Sequence, residues 1–488
     1  MQPQIRRVGI GLLVAFLAVF LQLNYVQIFA AESIAGNDAN IRSLLREYSI
    51  KRGDIVTLDF VTVAESDATG GTLKYLRRYP EGDLYGHITG FYSLVFGTDR
   101  VERTYNEQLL GEGGVISMQD IEDRLLGTGE QGDDVRLTIH SELQQEARTA
   151  LGDNLGAIVA IDPSSGDVRA LWSNPSFDPN PLASHRPKEI RAAMSRLQDQ
   201  SPSPLQHLAT TRGFPPGSTF KVVTAAAALE SGRYDRDSTF PDPQAIDLPQ
   251  TTETLTNFTH TACTGAGRID LFTALEISCD TTFALLGLDL PDELRGTAEA
   301  LGFNARVPFD VTSEPSIFPE IGDDEQPFRA FAGIGQGNVV ATPLQMALVA
   351  ATVANGGEVP RPRLVKEVID SSGGVVNRPP DETLGTAMSG ATAATLTEMM
   401  VAVVETGTGT NARIEGVPVA GKTGTAQSVE GAAPHAWFIA FAPANDPQLA
   451  VAVFVANGGS FGAEATGGLV AAPMAREIFL KDQEIRGW

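Results

Sequence analysis

The sequence predicts an α+β protein: an apolar N-terminal anchor, a small mixed α/β domain, and a larger domain with a central antiparallel sheet flanked by helices. Three observations predict this. Residues 8–29 form one long apolar run. Residues 52–79 show partial alternation of apolar side chains around a Gly-Gly turn. Strand-like patterns stand at both ends of the remaining chain, at 156–172 and 415–456, with helical patterns between them. One sheet must then be assembled from distant parts of the chain.

Composition agrees with a folded chain of this kind. Of 488 residues, 42% are hydrophobic and 20% charged, which excludes a wholly disordered chain and a polytopic membrane protein. The net charge of −24 repels phosphate and argues against a general nucleic-acid binder. Two cysteines exclude a four-cysteine zinc site and allow at most one disulfide.

The elements follow in order. Val8–Phe29 is interrupted by strongly polar side chains only at Gln22, Asn24 and Gln27. At about 1.5 Å per residue it reaches roughly 33 Å, enough to cross a bilayer. Arg6 and Arg7 precede it, and Glu32 and Asp38 follow. The positive-inside rule places residues 1–7 in the cytoplasm and everything after the span outside. The rival reading is a cleaved signal peptide, disfavoured by the length of the run and by Phe29 where a small residue belongs. Residues 32–48 read as a polar linker with a short helix around Ile41–Tyr48. Residues 52–79 read as a strand pair turned by Gly70-Gly71, and 86–96 and 102–110 as mixed structure. Together, residues 30–136 form the expected N-terminal domain and 137–488 the larger one.

Ser141-Glu-Leu-Gln144 reads as a capping box ahead of a helix whose apolar face carries Leu143, Ala147, Ala150 and Leu151. Ile158–Ile161 and Val168–Trp172 flank Asp162-Pro-Ser-Ser-Gly166, a hairpin signal. Residues 174–213 are loop-rich, and 214–350 are mostly helical in pattern. Val417–Ala420, Ala436–Phe441 and Leu449–Val455 read as strands, and Gly468–Leu480 as a final helix.

The chain has only 7 lysines, so their placement carries information. Lys221 is the only one with a serine three positions earlier, Ser218. Pro215-Pro216-Gly217 bars a helix before Ser218, and good helix formers follow, so Ser218 sits at a helix start with Lys221 on the same face. A desolvated lysine beside a serine can lose its proton and act as base. The bland alternative is a capped helix with a surface lysine. Lys422-Thr423-Gly424-Thr425 lies in strand context. Gly424 permits close approach of another backbone or a ligand. Lys422 supplies charge, and Thr423 can hydrogen-bond a carboxylate. Ser278-Cys279-Asp280 stands between these two motifs and gains meaning only from that position.

In order, the three motifs match the serine–lysine acyl-transfer signature. The chain resembles class B penicillin-binding proteins, in the actinobacterial PbpA-like branch of peptidoglycan D,D-transpeptidases. The resemblance also rests on residues 75–106, GAIVAIDPSSGDVRALWSNPSFDPN (156–180), TRGFPPGSTFKVVTAAAALESG (211–232), GIGQGNVVATPLQMA (333–347), VAGKTGTAQ (419–427) and HAWFIAFAP (435–443). It implies a serine-type penicillin-binding transpeptidase domain above a non-catalytic pedestal domain.

The resemblance also implies roles. Ser218 is the expected nucleophile on the D-Ala-D-Ala carbonyl of a peptidoglycan stem peptide. Lys221 is the expected base, and Ser278 the relay to the leaving D-alanine. Lys422 and Thr423 would hold the substrate carboxylate, or that of a β-lactam. The N–H groups of Ser218 and Thr425 would form the oxyanion hole. Asp280 departs from the usual asparagine: an ionised aspartate cannot donate to a substrate carbonyl, but it can accept from Lys221 and orient it. Both cysteines lie outside the membrane by this topology, and a Cys263–Cys279 bridge beside the middle motif is expected. His435 is expected to be structural. No metal, nucleotide or other cofactor is expected. Polymerisation of the glycan would fall to a partner, a multi-spanning membrane glycosyltransferase of the shape, elongation, division and sporulation type, with Gln22, Asn24 and Gln27 as candidate contacts. The alternatives are a β-lactamase, a carboxypeptidase, or a catalytically weak penicillin-binding scaffold or sensor.

Overall fold

A computed structural model describes residues 2–25, 45–113, 131–426 and 433–488. Helix α1 (Gln2–Asn24) contains the apolar span Arg6–Asn24, long and apolar enough to cross a membrane and with none of its span buried against the rest of the chain. Gln27 and Phe29, the polar linker to residue 44, and the first half of its expected helix lie outside the described residues; residues 45–47 are helical.

The N-terminal region contributes β1 (Ile55–Val56), β2 (Thr62–Ala68) and β3 (Tyr75–Arg78). β2 and β3 pair antiparallel around the Gly70-Gly71 turn as predicted, but the alternating stretch before it is split by a turn at residues 57–61, where Phe60 has a φ of 65°, into β1 and β2, which also pair antiparallel. Strand β4 (Asp134–Leu137) lies parallel to β1. The expected boundary after residue 136 falls within β4, and its sheet takes strands from both sides of that point. The core beneath is held by Glu102, which is fully buried and receives Arg52 and Arg77 at 2.6 Å each. Burial pushes its carboxyl up, but the two guanidiniums outweigh burial and hold it below the ordinary carboxylate range. Removing one partner would strand a buried charge.

Helix α2 (Ser141–Leu151) buries Leu143, Ala147 and Leu151, as its periodicity predicts. The capping box does not form. Ser141 Oγ bonds the Asp59 carboxylate instead. Gln144 is buried; its amide donates to the carbonyls of Leu84 and Leu171 at 3.1 and 2.9 Å and accepts from the Leu171 N–H at 2.8 Å. Backbone groups of a neighbouring strand and loop win over the local cap because, once buried, they must be paired.

The main sheet has five antiparallel strands. β5 (Gly156–Ile161) and β6 (Val168–Asn174) form the predicted hairpin, and Gly166 takes a φ of 74° in its turn. Helix α3 (Lys221–Glu230), helix α4 (Asp280–Asp289) and helix α5 (Pro343–Ala354) follow. Two small antiparallel strand pairs, Thr239–Pro241 with Arg268–Asp270 and, between them in sequence, Ala245–Asp247 with Thr254–Thr256, interrupt the stretch expected to be helical. β7 (Val365–Ile369) and β8 (Val375–Asn377) extend the first sheet, giving the order β8-β7-β4-β1-β2-β3. Helix α6 (Gly390–Glu405) precedes β9 (Ala420–Ala426), β10 (His435–Ala442) and β11 (Leu449–Val455). The second sheet runs β9-β10-β11-β5-β6. The strand expected over Val417–Ala420 begins only at Ala420, because Val417 is taken up by an isolated bridge to Ile414; Lys422-Thr-Gly-Thr425 lies inside β9, in the strand context the sequence predicts.

Every residue of β10 and β11 is buried, so both faces of the sheet are covered. α5 covers β11 and β5 on one face, while α2 and the last helix, α7 (Ala472–Arg486), pack together on the other. α7 follows a wider turn over Gly467–Ala471 and runs past the predicted end at Leu480.

Candidate active site

Ser218 lies on a single tight turn, Gly217–Phe220, that runs directly into α3. The turn is pressed against β9. A Cβ on Gly424 would stand 2.9 Å from the Pro216 carbonyl oxygen, and one on Gly217 would stand 2.9 Å from that of Thr425. Gly217 also needs its φ of 53°, which favours glycine. Trp437 on β10 donates from Nε1 to the Pro215 carbonyl at 3.0 Å and pins the approach to the turn.

Lys221 opens α3 and is wholly buried. Its Nζ donates to Asp280 Oδ1 at 2.7 Å and to the Ser278 carbonyl at 2.8 Å, and lies 3.2 Å from Ser278 Oγ. Lys422 is also wholly buried, and its Nζ donates to the same Ser278 Oγ at 2.8 Å. The structure therefore brings Lys221, Ser278, Asp280 and Lys422 into one hydrogen-bonded cluster. Ser278 has a φ of 62°, a left-handed conformation that a non-glycine residue adopts at some cost in strain. The turn after helix Leu271–Glu276 holds it, through Ser278 N–H to Leu275 and Cys279 N–H to Ala274.

Burial pushes the Lys221 ammonium down, Asp280 opposes it, and the net position is below an ordinary lysine. Burial pushes Lys422 further down, and the neighbouring Lys221 charge adds to the shift. Two lysines of this kind around one serine hydroxyl can accept and return a proton.

A cleft of about 450 Å³ opens beside the cluster, lined by Ser218, Ser278, Asp280, Thr423 and Thr425. Thr423 Oγ1 lies 2.6 Å from Thr408 Oγ1, and Thr425 Oγ1 accepts from the Gly467 N–H at 3.4 Å. Phe258, Thr408, Thr466 and Gly467 also line the cleft, and the sequence reading missed all four. Nothing in their local patterns marks them, because three separate segments deliver them.

Cys263 and Cys279 are joined in a disulfide that ties the 257–263 loop to the Ser278 turn. Asp242 stands near these sulfurs, but its carboxylate accepts from the Cys263, Thr264 and Gly265 N–H groups. It is held as a turn residue. His435 packs edge-on against Phe214 and Phe454, and its Nδ1 accepts the Asn457 N–H at 3.0 Å. Burial pushes its pKa down. This is a packing position, with its ring among the aromatic side chains.

Comparison with known proteins agrees with this fold. Residues 156–480 match the penicillin-binding protein transpeptidase domain, and residues 52–135 match the penicillin-binding protein A dimerisation domain. The chain is 38% identical over 488 residues to the peptidoglycan D,D-transpeptidase PbpA of Mycolicibacterium smegmatis, covering 98% of each chain. It is 37% identical over 490 residues to PbpA of Mycobacterium tuberculosis, again covering 98% of each. The ceftriaxone acyl-enzyme structure of penicillin-binding protein A from M. tuberculosis superposes with a TM-score of 0.84 at 37% identity, covering 90% of this chain and 99% of that one. The buried serine–lysine cluster thus sits in a fold shared along almost the whole chain, and the protein belongs to the penicillin-binding protein transpeptidase family.

Proposed function

We propose that this protein is a peptidoglycan D,D-transpeptidase that cross-links stem peptides through an acyl-serine intermediate and is acylated by β-lactams. The observation that carries the reading is the Lys221–Ser278–Lys422 cluster beside the cleft that holds Ser218. Ser218 Oγ attacks the carbonyl of the penultimate D-alanine as neutral Lys221 takes its proton. The N–H groups of Ser218 and Thr425 receive the oxyanion. Lys422 and Thr423 hold the terminal carboxylate. As the C–N bond breaks, Ser278 relays a proton from Lys221 to the leaving D-alanine nitrogen. An amine on a neighbouring stem peptide then attacks the acyl-serine, giving the cross-link and freeing Ser218. Asp280 orients Lys221 through the bond at 2.7 Å.

Residues 30–136 serve as a pedestal that carries residues 137–488 away from the membrane. α1 anchors the chain, with its N-terminus in the cytoplasm and the catalytic domain outside. A membrane glycosyltransferase is the partner that supplies glycan strands. Gln22 remains a candidate contact for it. Asn24 Nδ2 already donates to the Phe20 carbonyl within its own helix, at 2.8 Å.

Labelling of the detergent-solubilised full-length protein with a fluorescent penicillin tests this reading. Wild type is expected to carry a label stable for hours, and Ser218→Ala none. Rapid loss of label would indicate a β-lactamase. No label on wild type would put the scaffold reading first.

A further inference from the structure

Phe258 is an exposed aromatic residue on a firmly held loop. It lines the cleft with Ser218, Ser278 and Asp280, yet 68% of it stays open to solvent. The backbone beneath it is tied down on several sides. Its N–H donates to Asp280 Oδ2 at 3.1 Å. The buried Asn257 side chain accepts from the Thr281 N–H at 3.0 Å and donates to the Pro243 and Thr261 carbonyls at 3.2 and 2.9 Å. The Cys263–Cys279 bridge closes the same loop. An apolar ring presented to a cleft by a rigid backbone costs a ligand little ordering when it binds.

Two donors converge on Asp280: Lys221 Nζ on Oδ1 at 2.7 Å and the Phe258 N–H on Oδ2 at 3.1 Å. A carboxylate offers an acceptor to each. An asparagine amide offers one carbonyl oxygen and one NH₂, so it would turn a donor toward one of them and lose that bond. Aspartate is therefore the side chain that holds the base and the aromatic loop together.

We propose that Phe258 is a specificity-determining wall of the cleft for apolar groups on the acyl half of a donor peptide or β-lactam, and that Asp280 positions it. This rests on the transpeptidase reading of the cleft. The acyl half is the part whose carbonyl carbon bonds Ser218 Oγ. The carboxylate end belongs with Lys422 and Thr423 on β9, whereas Phe258 arrives on a different segment, bonded to Asp280.

The test compares penicillin G with 6-aminopenicillanic acid, the same bicyclic nucleus without the phenylacetyl group. Second-order acylation rate constants are measured for both on the full-length protein in detergent. Their ratio reports the side-chain contact and cancels changes in the strength of the base. Wild type is expected to favour penicillin G. Phe258→Ala lowers the ratio about fivefold, as expected from losing roughly 40 Å² of apolar contact. Phe258→Leu keeps the ratio within about twofold of wild type, since it retains most of that contact. Asp280→Asn lowers the ratio in the same direction as Phe258→Ala. A ratio unmoved by Phe258→Ala overturns the wall. A ratio moved by Phe258→Ala but not by Asp280→Asn overturns the positioning role. Failure of both compounds to acylate wild type would remove the transpeptidase reading, and this proposal with it.

Discussion

Lys422 Nζ lies 2.8 Å from Ser278 Oγ, although 144 residues separate them in the chain. Lys221 Nζ approaches the same oxygen to 3.2 Å from a helix 57 residues before it. Both ammonium groups are buried, and burial disfavours a charge on each. Asp280 pairs with Lys221 at 2.7 Å and opposes the effect of burial on it.

Lys422→Ala removes both the donor to Ser278 and the expected carboxylate anchor. Acylation by a β-lactam should fall about 100-fold, the loss expected from a charge-assisted hydrogen bond in a buried site. Stopped-flow acylation kinetics checks this. A fall of less than threefold would remove Lys422 from the cluster's work.

The acylation rate should rise with pH as Lys221 loses its proton. Burial holds the Lys221 pKa below the ordinary lysine value, so the rise comes at lower pH than for an exposed lysine. Asp280 pulls that pKa up. Asp280→Asn should therefore move the rising limb to lower pH. The pH profile of the second-order acylation constant reads this directly, and a limb that stays in place or moves up contradicts it.

Gly424→Ala should slow acylation by on the order of 100-fold, because misplacing a reacting group by about 1 Å can cost that much. The new Cβ would meet the Pro216 carbonyl and Thr219 Cγ2 at 2.9 Å and press the Ser218 turn away from β9. Acylation kinetics and a thermal melt together separate displacement of the turn from unfolding; a normal rate would show that the turn yields freely.

His87 and His207 stack face to face, with ring centroids 4.7 Å apart, where the N-terminal region meets the larger domain. Burial, then the Arg100 charge, pushes His87 down to about 3, and burial pushes His207 well below its ordinary value. Both are therefore lower in the folded state than in the unfolded one. The unfolded chain binds more protons below the ordinary histidine value of 6.5, so stability is complete above pH 6.5 and is lost as pH falls. Each histidine should cost about 1.4 kcal/mol per pH unit across that window. Thermal melts of the full-length protein at pH 7.5 and 5.5 should show the drop, and His87→Phe should flatten it. An equal drop in the variant would place the acid sensitivity elsewhere.

Much of this architecture was legible in local pattern. The hairpin of β5 and β6 announced itself through two apolar runs and Asp162-Pro-Ser-Ser-Gly166, because turn chemistry acts over a few residues. Ser218 and Lys221 were legible because helix spacing puts them on one face. The capping box at Ser141 misled, since Asp59, Leu84 and Leu171 offered those side chains better partners from elsewhere in the fold.

The sequence by itself determined the apolar N-terminal run, four of the five strands of the main sheet, the order of the three motifs and the family they resemble. Each depends on neighbours within a few residues, where propensity and periodicity operate. Only the tertiary structure decided that β4 joins β1 and β7 in one sheet, that two lysines meet on the Ser278 hydroxyl, and that Asp280 holds Lys221 with one oxygen and the Phe258 N–H with the other. Those contacts join segments dozens to hundreds of residues apart. They form because buried donors and acceptors must find partners, and which partners are within reach depends on how the whole chain packs.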